Sequence, residues 1–366
     1  MSRFFIAFLV ALAAIALFAG AFLFSSTIDT EGDAIGYVDA MQVVAWERPP
    51  PEFANGSSDI FTIHRLLTTS LGIEAVRLMG SLFGSVTVGW FVWDTILFFF
   101  ISILFYHLIR RLFGSDKTAF LGGLFFAGNY AMVTAGLGQF MDIGGWFFYI
   151  ASLYFLVVYT ETRSERDLLL SALAIAVGGL FKENALVASI PLTAVLLYQN
   201  LPSVTRFLKQ IVPLAIICAA PVAIHHIYIY LEYGYVYTYW FSLNQELYHY
   251  SSRLLEYVKS LGSLLNILGL FVLLGVGVWL REWKAQPRLR SILLCSMAIS
   301  AIPALMWPGI TQRVLFMVVP GAVFFACLFF QKYERYWYVF TPFLALYILA
   351  SFTMDSFILK MVNLPF

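Results

Sequence analysis

Residues 28–46 read IDTEGDAIGYVDAMQVVAW, and they follow an apolar run, 4–24, that holds no charged residue. A run of that length can cross a bilayer, which takes about 20 residues. The stretch after it sets Asp29, Thr30, Glu31, Asp33, Tyr37 and Asp39 at the bilayer edge. Carboxylates held there can act as bases or bind a cation; they can also simply solvate a helix end, the ordinary state of Asp and Glu. From residue 33 to 46, Ile35, Val38, Met41 and Ala45 fall near one helical face, the pattern of a helix lying on a membrane surface.

The rest of the chain extends the apolar theme. Of 366 residues 61% are hydrophobic and 12% charged, with mean hydropathy +0.83, which is the composition of a polytopic membrane protein. A net charge of +1 gives no basis for a nucleic-acid partner. Cys218, Cys295 and Cys327 sit in apolar runs and suggest neither a disulfide framework nor a thiolate metal site. No Walker loop, Rossmann glycine pattern, zinc spacing or nucleophile elbow is present, which argues against ATP-driven transport.

Further apolar runs fall at 86–109, 119–137, 143–159, 168–181, 185–198, 212–230, 261–280, 292–307, 314–330 and 337–352. With the first they predict an all-α protein of about eleven transmembrane or re-entrant helices in one integral-membrane domain, 1–366. The runs flanking Lys182 are short enough to form a re-entrant hairpin. Run 4–24 outlasts a signal-peptide core and reads as a retained anchor. After the last run too few residues remain for a soluble C-terminal domain.

Orientation follows from Lys and Arg. With the N-terminus cytoplasmic, the inside segments hold 14 of them in 50 residues and the outside segments 8 in 119. The positive-inside rule therefore predicts a cytoplasmic N-terminus and an extracytoplasmic C-terminus. Two outer loops are long. Loop 25–85 has a turn-rich centre, Arg48-Pro49-Pro50-Pro51 and Asn55-Gly56-Ser57-Ser58, between helix-compatible pieces at 33–46 and 60–72. Loop 231–260 is crowded with aromatics, among them Tyr235, Tyr237 and Trp240; these read as an interfacial belt or as a surface for sugar or lipid.

Several polar residues fall on that outer side. Asp33 opens GDAIGYVDAM with Tyr37 four residues on; Asp142 stands in GQFMDIGGWFFYIASLYFL; Lys182 and Glu183 stand in GLFKENALVASIPLTAVLL; Arg313 stands in TQRVLFMVVP. An ionisable pair between two short apolar runs is costly unless it lines a polar cavity. Adjacent helical residues do not face each other, so mutual pairing alone does not account for Lys182 and Glu183. Asp94 lies inside the second run, serving either a structural hydrogen bond or a proton or substrate path. His225 and His226 diverge by about 100° on a helix and cannot easily share a metal.

Taken together, these landmarks resemble the GT-C glycosyltransferases, the superfamily that includes protein O-mannosyltransferases and lipid A aminoarabinose transferases. Ala34 stands where those enzymes carry a second acidic residue, and Ile63-His64-Arg65 is the nearest substitute for their His-Pro-Pro-like element. The resemblance implies transfer of a sugar from a polyprenyl-phosphate donor to a lipid, glycan or protein acceptor, with inversion. It implies Asp33 as the base and Lys182, Arg65 and Arg313 as ligands of the donor phosphate. Asp142, Glu183, Tyr37, His64 and His226 are candidates for the acceptor or a metal. It leaves room for a divalent cation, Mg or Mn, on Asp33 and Asp142. The expected location is the plasma (inner) membrane, with the site outside. A lipid-linked sugar flippase or other transporter is the alternative, but it calls for polar groups near the midplane between repeated halves. A non-catalytic scaffold subunit is a third, and predicts no acidic and basic cluster around one cavity.

Overall fold

The computed structural model describes residues 2–23, 33–52, 59–138, 140–248, 250 and 252–362, with backbone alone at 22–23, 33–35, 247 and 354–362. The Asn55 sequon and the acidic residues Asp29 and Glu31 lie outside the described residues. The described residues form helices joined by short connections, with no strand among them. Its first helices are α1 (Arg3–Leu23), α2 (Asp33–Val44), α3 (Asp59–Thr68), α4 (Ser70–Phe83), α5 (Val86–Phe113) and α6 (Asp116–Ala127). There follow α7 (Tyr130–Thr134), α8 (Asp142–Thr162), α9 (Glu165–Phe181), α10 (Ser189–Gln199), α11 (Val204–Tyr233) and α12 (Tyr237–Leu247). The last are α13 (Arg253–Glu282), α14 (Arg288–Ser300), α15 (Ile302–Met306), α16 (Gln312–Leu315), α17 (Val318–Lys332) and α18 (Trp337–Val362).

Seven helical stretches are long and apolar enough to cross a membrane, and the bent α3–α4 pair would make an eighth. They coincide with seven of the expected runs. The other four runs are helical but shorter or divided: 119–137 between α6 and α7, 168–181 in α9, 185–198 between a 3-10 helix (Glu183–Ala188) and α10, and 314–330 between α16 and α17.

Two compact units form from interleaved segments. The first unit comprises residues 1–23, 98–137 and 252–366, and the second comprises 24–97 and 138–251. In the first, rings fill the core: Phe105 stacks on Phe126 at 4.0 Å and Phe125 on Phe330 at 5.6 Å. Its α13 is interrupted at Asn266, whose backbone is not helical. The resulting break is bridged by Asn129 and Tyr347, both fully buried.

The second unit holds the loop helices α2 and α3. Here the side of α2 buried in the protein is formed by Tyr37, Ala40 and Met41, while Val38 and Ala45 are half-buried. The reason is that Tyr37 packs into the protein against Trp90 and Arg65. Arg48, salt-bridged to Asp39 at 2.6 Å and Asp59 at 2.9 Å, ties the end of α2 to the start of α3. After Thr68 the chain turns by 96° into α4. The hydroxyls of Thr68 and Thr69 donate to the carbonyls of His64 and Arg65 at 2.9 and 2.7 Å, satisfying the end of α3. Gly84, at φ +67, then closes α4, and α5 returns so tightly that a Cβ on Gly89 would lie 2.3 Å from the Gly80 nitrogen.

Candidate active site

Lys182 is placed by small residues on the helices around it. A Cβ on Gly145 of α8 would come within 1.9 Å of Asn184 Oδ1 and 2.6 Å of Lys182 Cβ, so the Gly144-Gly145 pair is what lets the end of α9 lie against α8. Ser152 and Ser171, 2.9 Å apart, join the same two helices in the core. At Lys182 the backbone leaves the helix for an extended conformation, φ −168° and ψ 135°, before the 3-10 helix starts at Glu183. This break corrects the expectation that neighbouring Lys182 and Glu183 face apart. That expectation assumed a continuous helix, whereas here the Lys182 Nζ lies 3.8 Å from Glu183 Oε2.

Around this ammonium the second unit gathers most of the predicted polar residues. The Tyr37 hydroxyl lies 3.5 Å from Lys182 Nζ. Asp142, buried at the first residue of α8, acts on Lys182 through its charge. The Arg65 guanidinium, also buried, sits over the Tyr37 ring at 4.6 Å and the Trp240 ring at 5.3 Å. His64 stacks on Trp240 with centroids 4.1 Å apart, and its Nδ1 lies 3.1 Å from the Tyr235 hydroxyl. The Tyr237 hydroxyl donates over 3.5 Å to Glu183 Oε1, and its ring stacks with His226 at 6.4 Å. His225 instead reaches the Leu66 carbonyl at 2.8 Å, so the two histidines do diverge.

The electrostatics favour a lysine that stays charged. Burial pulls the Lys182 pKa down, but Glu183, Tyr37 and Asp142 together outweigh it and leave it raised. Burial is likewise the main cause that drives the Tyr235 and Tyr237 phenols well above their usual range, so both remain hydroxyls.

Tyr37, His64, Arg65, Asp142, Lys182, Glu183 and His226 therefore all belong to the second unit. Asp33 opens α2 one turn before Tyr37, but its side chain lies outside the described residues, and with it the proposed Asp33–Asp142 metal pair. Among the described residues no group of three or more His, Cys, Asp or Glu could hold a metal. Arg313 lies on α16, in the first unit. Asp94, expected either to make a structural hydrogen bond or to serve a path, makes no hydrogen bond to a described residue.

From sequence, Tyr235, Tyr237 and Trp240 read as an interfacial belt or as a surface for sugar or lipid, and nothing in the sequence singles out Trp90. Tyr235, Trp240 and Trp90 are buried, whereas Tyr239 and Tyr248 of the same loop are exposed. The available signal was the i, i+3 spacing of Tyr237 and Trp240 at the start of a helix, which puts both on one face.

Residues 75–228 match the family described as dolichyl-phosphate-mannose-protein mannosyltransferase. The chain is similar in structure to ArnT from Cupriavidus metallidurans bound to undecaprenyl phosphate, with a TM-score of 0.62 and 12% identity over 88% of this chain and 59% of that one. Against ArnT from the same organism in the apo state the TM-score is 0.60, again at 12% identity, over 88% of this chain and 58% of that one. At such identity the likeness is one of fold, and the chain spans less than two thirds of the length of those proteins. No curated protein matches it by sequence.

Proposed function

From the GT-C superfamily fold as premise, we propose that the chain is a membrane glycosyltransferase that moves a sugar from a polyprenyl-phosphate donor to an acceptor hydroxyl on a lipid, glycan or protein. The observation that carries the reading is the Lys182 ammonium. It is buried and charged, and its nearest described acceptors stand at 3.5 and 3.8 Å. Charge-assisted hydrogen bonds run to about 2.7–2.9 Å, so the ammonium keeps donor capacity for an incoming anion. Arg65, held between the Tyr37 and Trp240 rings, supplies a second cation in the same unit.

In the reaction, the acceptor oxygen attacks the anomeric carbon while Asp33 takes its proton. The bond from that carbon to the phosphate oxygen breaks, and the polyprenyl phosphate departs with the electron pair. Lys182 and Arg65 offset the charge on that leaving group in a water-poor setting. One displacement inverts the anomeric centre. The Lys and Arg distribution supports a cytoplasmic N-terminus and a reaction on the extracytoplasmic face, with the plasma (inner) membrane as its location.

The test is binding and transfer of a polyprenyl-phosphate sugar by the purified chain in nanodiscs. Asp33→Asn should lower transfer by about 10²–10⁴-fold, the usual contribution of a general base, and leave donor binding near wild type. Full transfer by that variant sinks the base assignment. Donor translocation without any transfer by the wild-type chain would replace the transferase reading with transport.

A further inference from the structure

One ring beside the second cation has no task of its own in this reaction. Tyr37 joins the two cations, since its hydroxyl lies 3.5 Å from Lys182 Nζ and the Arg65 guanidinium sits over its ring at 4.6 Å. A second ring meets the same guanidinium at 5.3 Å, and it belongs to Trp240 of α12, far along the chain.

The indole of Trp240 is fixed from several directions. Phe61, His64 and Arg65 stand at i, i+3 and i+4 on α3 and so share one helical face, and Trp240 packs against all three. His64 stacks on it at 4.1 Å, and Phe61 meets it edge-on at 5.3 Å. The His64 ring is held in turn by the Tyr235 hydroxyl, 3.1 Å from its Nδ1, and both of these residues are buried. On the backbone side, the buried Asn244 amide donates to the Trp240 carbonyl at 2.7 Å within α12.

Two consequences follow for Arg65. A ring face attracts the guanidinium as a whole and leaves its planar fork of N–H donors, the part that binds phosphate, to other partners. A ring that is itself anchored also restricts a long, rotamer-rich side chain before the ligand arrives, so less freedom is lost on binding.

We propose that Trp240 is a positioning residue for the donor: its indole, locked by His64 and Phe61, holds the Arg65 guanidinium against Tyr37 with the fork set for the donor phosphate. Trp240 has this role only if Arg65 binds that phosphate, as in the proposed reaction. It brings α12 into the donor site through Arg65, without any need for α12 to touch the lipid.

The experiment is binding of decaprenyl phosphate to the full chain in nanodiscs of uncharged lipid, with the tryptophan at position 240 replaced by its mono-, di- and trifluoro analogues through nonsense suppression. Each fluorine draws electron density from the ring face and changes its size little, so the packing is kept while the attraction for a cation weakens. Affinity should fall stepwise along the series, and Trp240→Leu should weaken it by about three- to thirtyfold. Arg65→Gln should by itself weaken binding by about ten- to a hundredfold; in that background the series should be flat and Trp240→Leu should add about twofold at most. The fluorinated chains carry the test if Trp240→Leu does not fold. Equal affinity across the series, a slope that survives Arg65→Gln, or wild-type affinity in Arg65→Gln overturns the positioning role and leaves the transferase reading in place. A wild-type chain that does not bind decaprenyl phosphate overturns both.

Discussion

In the first unit, the Asn129 amide donates to the Leu264 carbonyl at 2.8 Å and to the Tyr347 hydroxyl at 2.6 Å, and that hydroxyl donates to the same carbonyl at 3.1 Å. The Asn129 side-chain oxygen in turn accepts from the Ala131 backbone at 3.0 Å. In the second unit, a cluster of similar burial has its lysine 3.5 Å from a tyrosine and 3.8 Å from a glutamate. The first cluster is closed: each group's capacity is spent on repairing the break in α13 at Asn266. The second is kept apart by rings and glycines rather than drawn together by hydrogen bonds. A polar group whose bonds are all made stabilises a fold, whereas one held short of its partners has capacity left for a ligand.

That contrast can be broken by exchanging the expected outcomes. Lys182→Met keeps the length of the side chain and removes its charge. It should weaken binding of a polyprenyl-phosphate sugar by about ten- to a hundredfold, the value of about 1.5–3 kcal/mol for a hydrogen bond to a charged group, with little change in thermal stability. Unchanged affinity, or a chain that fails to fold, would put Lys182 with the structural residues. Asn129→Ala should do the reverse. It leaves the Leu264 carbonyl and Tyr347 hydroxyl short of a partner at a cost of about 1–3 kcal/mol, seen as a lower unfolding midpoint, and donor affinity per folded molecule should stay within twofold.

Gly145→Ala sharpens the comparison from the packing side. Its new methyl must displace Asn184 or Lys182, so stability should fall by about 1–3 kcal/mol and donor affinity should fall with it. A variant that is destabilised yet binds donor normally would show that Lys182 does not depend on this contact. The smallest expected effect is a flat response to pH. A lysine with a raised pKa makes its contribution in full below the unfolded lysine value of about 10.4 and loses it only as pH climbs through the raised folded value. Donor affinity should therefore show no lysine-dependent loss between about pH 8 and 9.5, and a fall within that window would mean that Lys182 deprotonates there.

Much of the frame was legible in the sequence because a bilayer imposes length and composition on whatever crosses it. Seven expected runs became full-length apolar helices, and the remaining four became shorter helical pieces because breaks at Gly128-Asn129, at Lys182 and at Phe316-Met317 divide or end them. The polar landmarks Lys182, Glu183, Asp142, Arg65, His64 and Tyr37 were legible by their chemistry, as ionisable or hydrogen-bonding groups set among apolar neighbours. Arg313 passed the same test and lies in the first unit; a charge at a run's end looks alike in one dimension whether it serves a site or anchors a helix.

Sequence by itself determined that this is an all-helical membrane protein, because hydropathy and span length are properties of short contiguous stretches. Tertiary structure alone decided that Lys182 and Glu183 face one another, that Tyr37, Arg65 and Trp240 stack, and that Asp94 is left without a hydrogen bond to a described residue. Those facts depend on a backbone break at one residue and on packing between residues up to 175 positions apart, as Arg65 and Trp240 are. No local pattern encodes such contacts, because each is set by the shape of helices that the pattern does not contain.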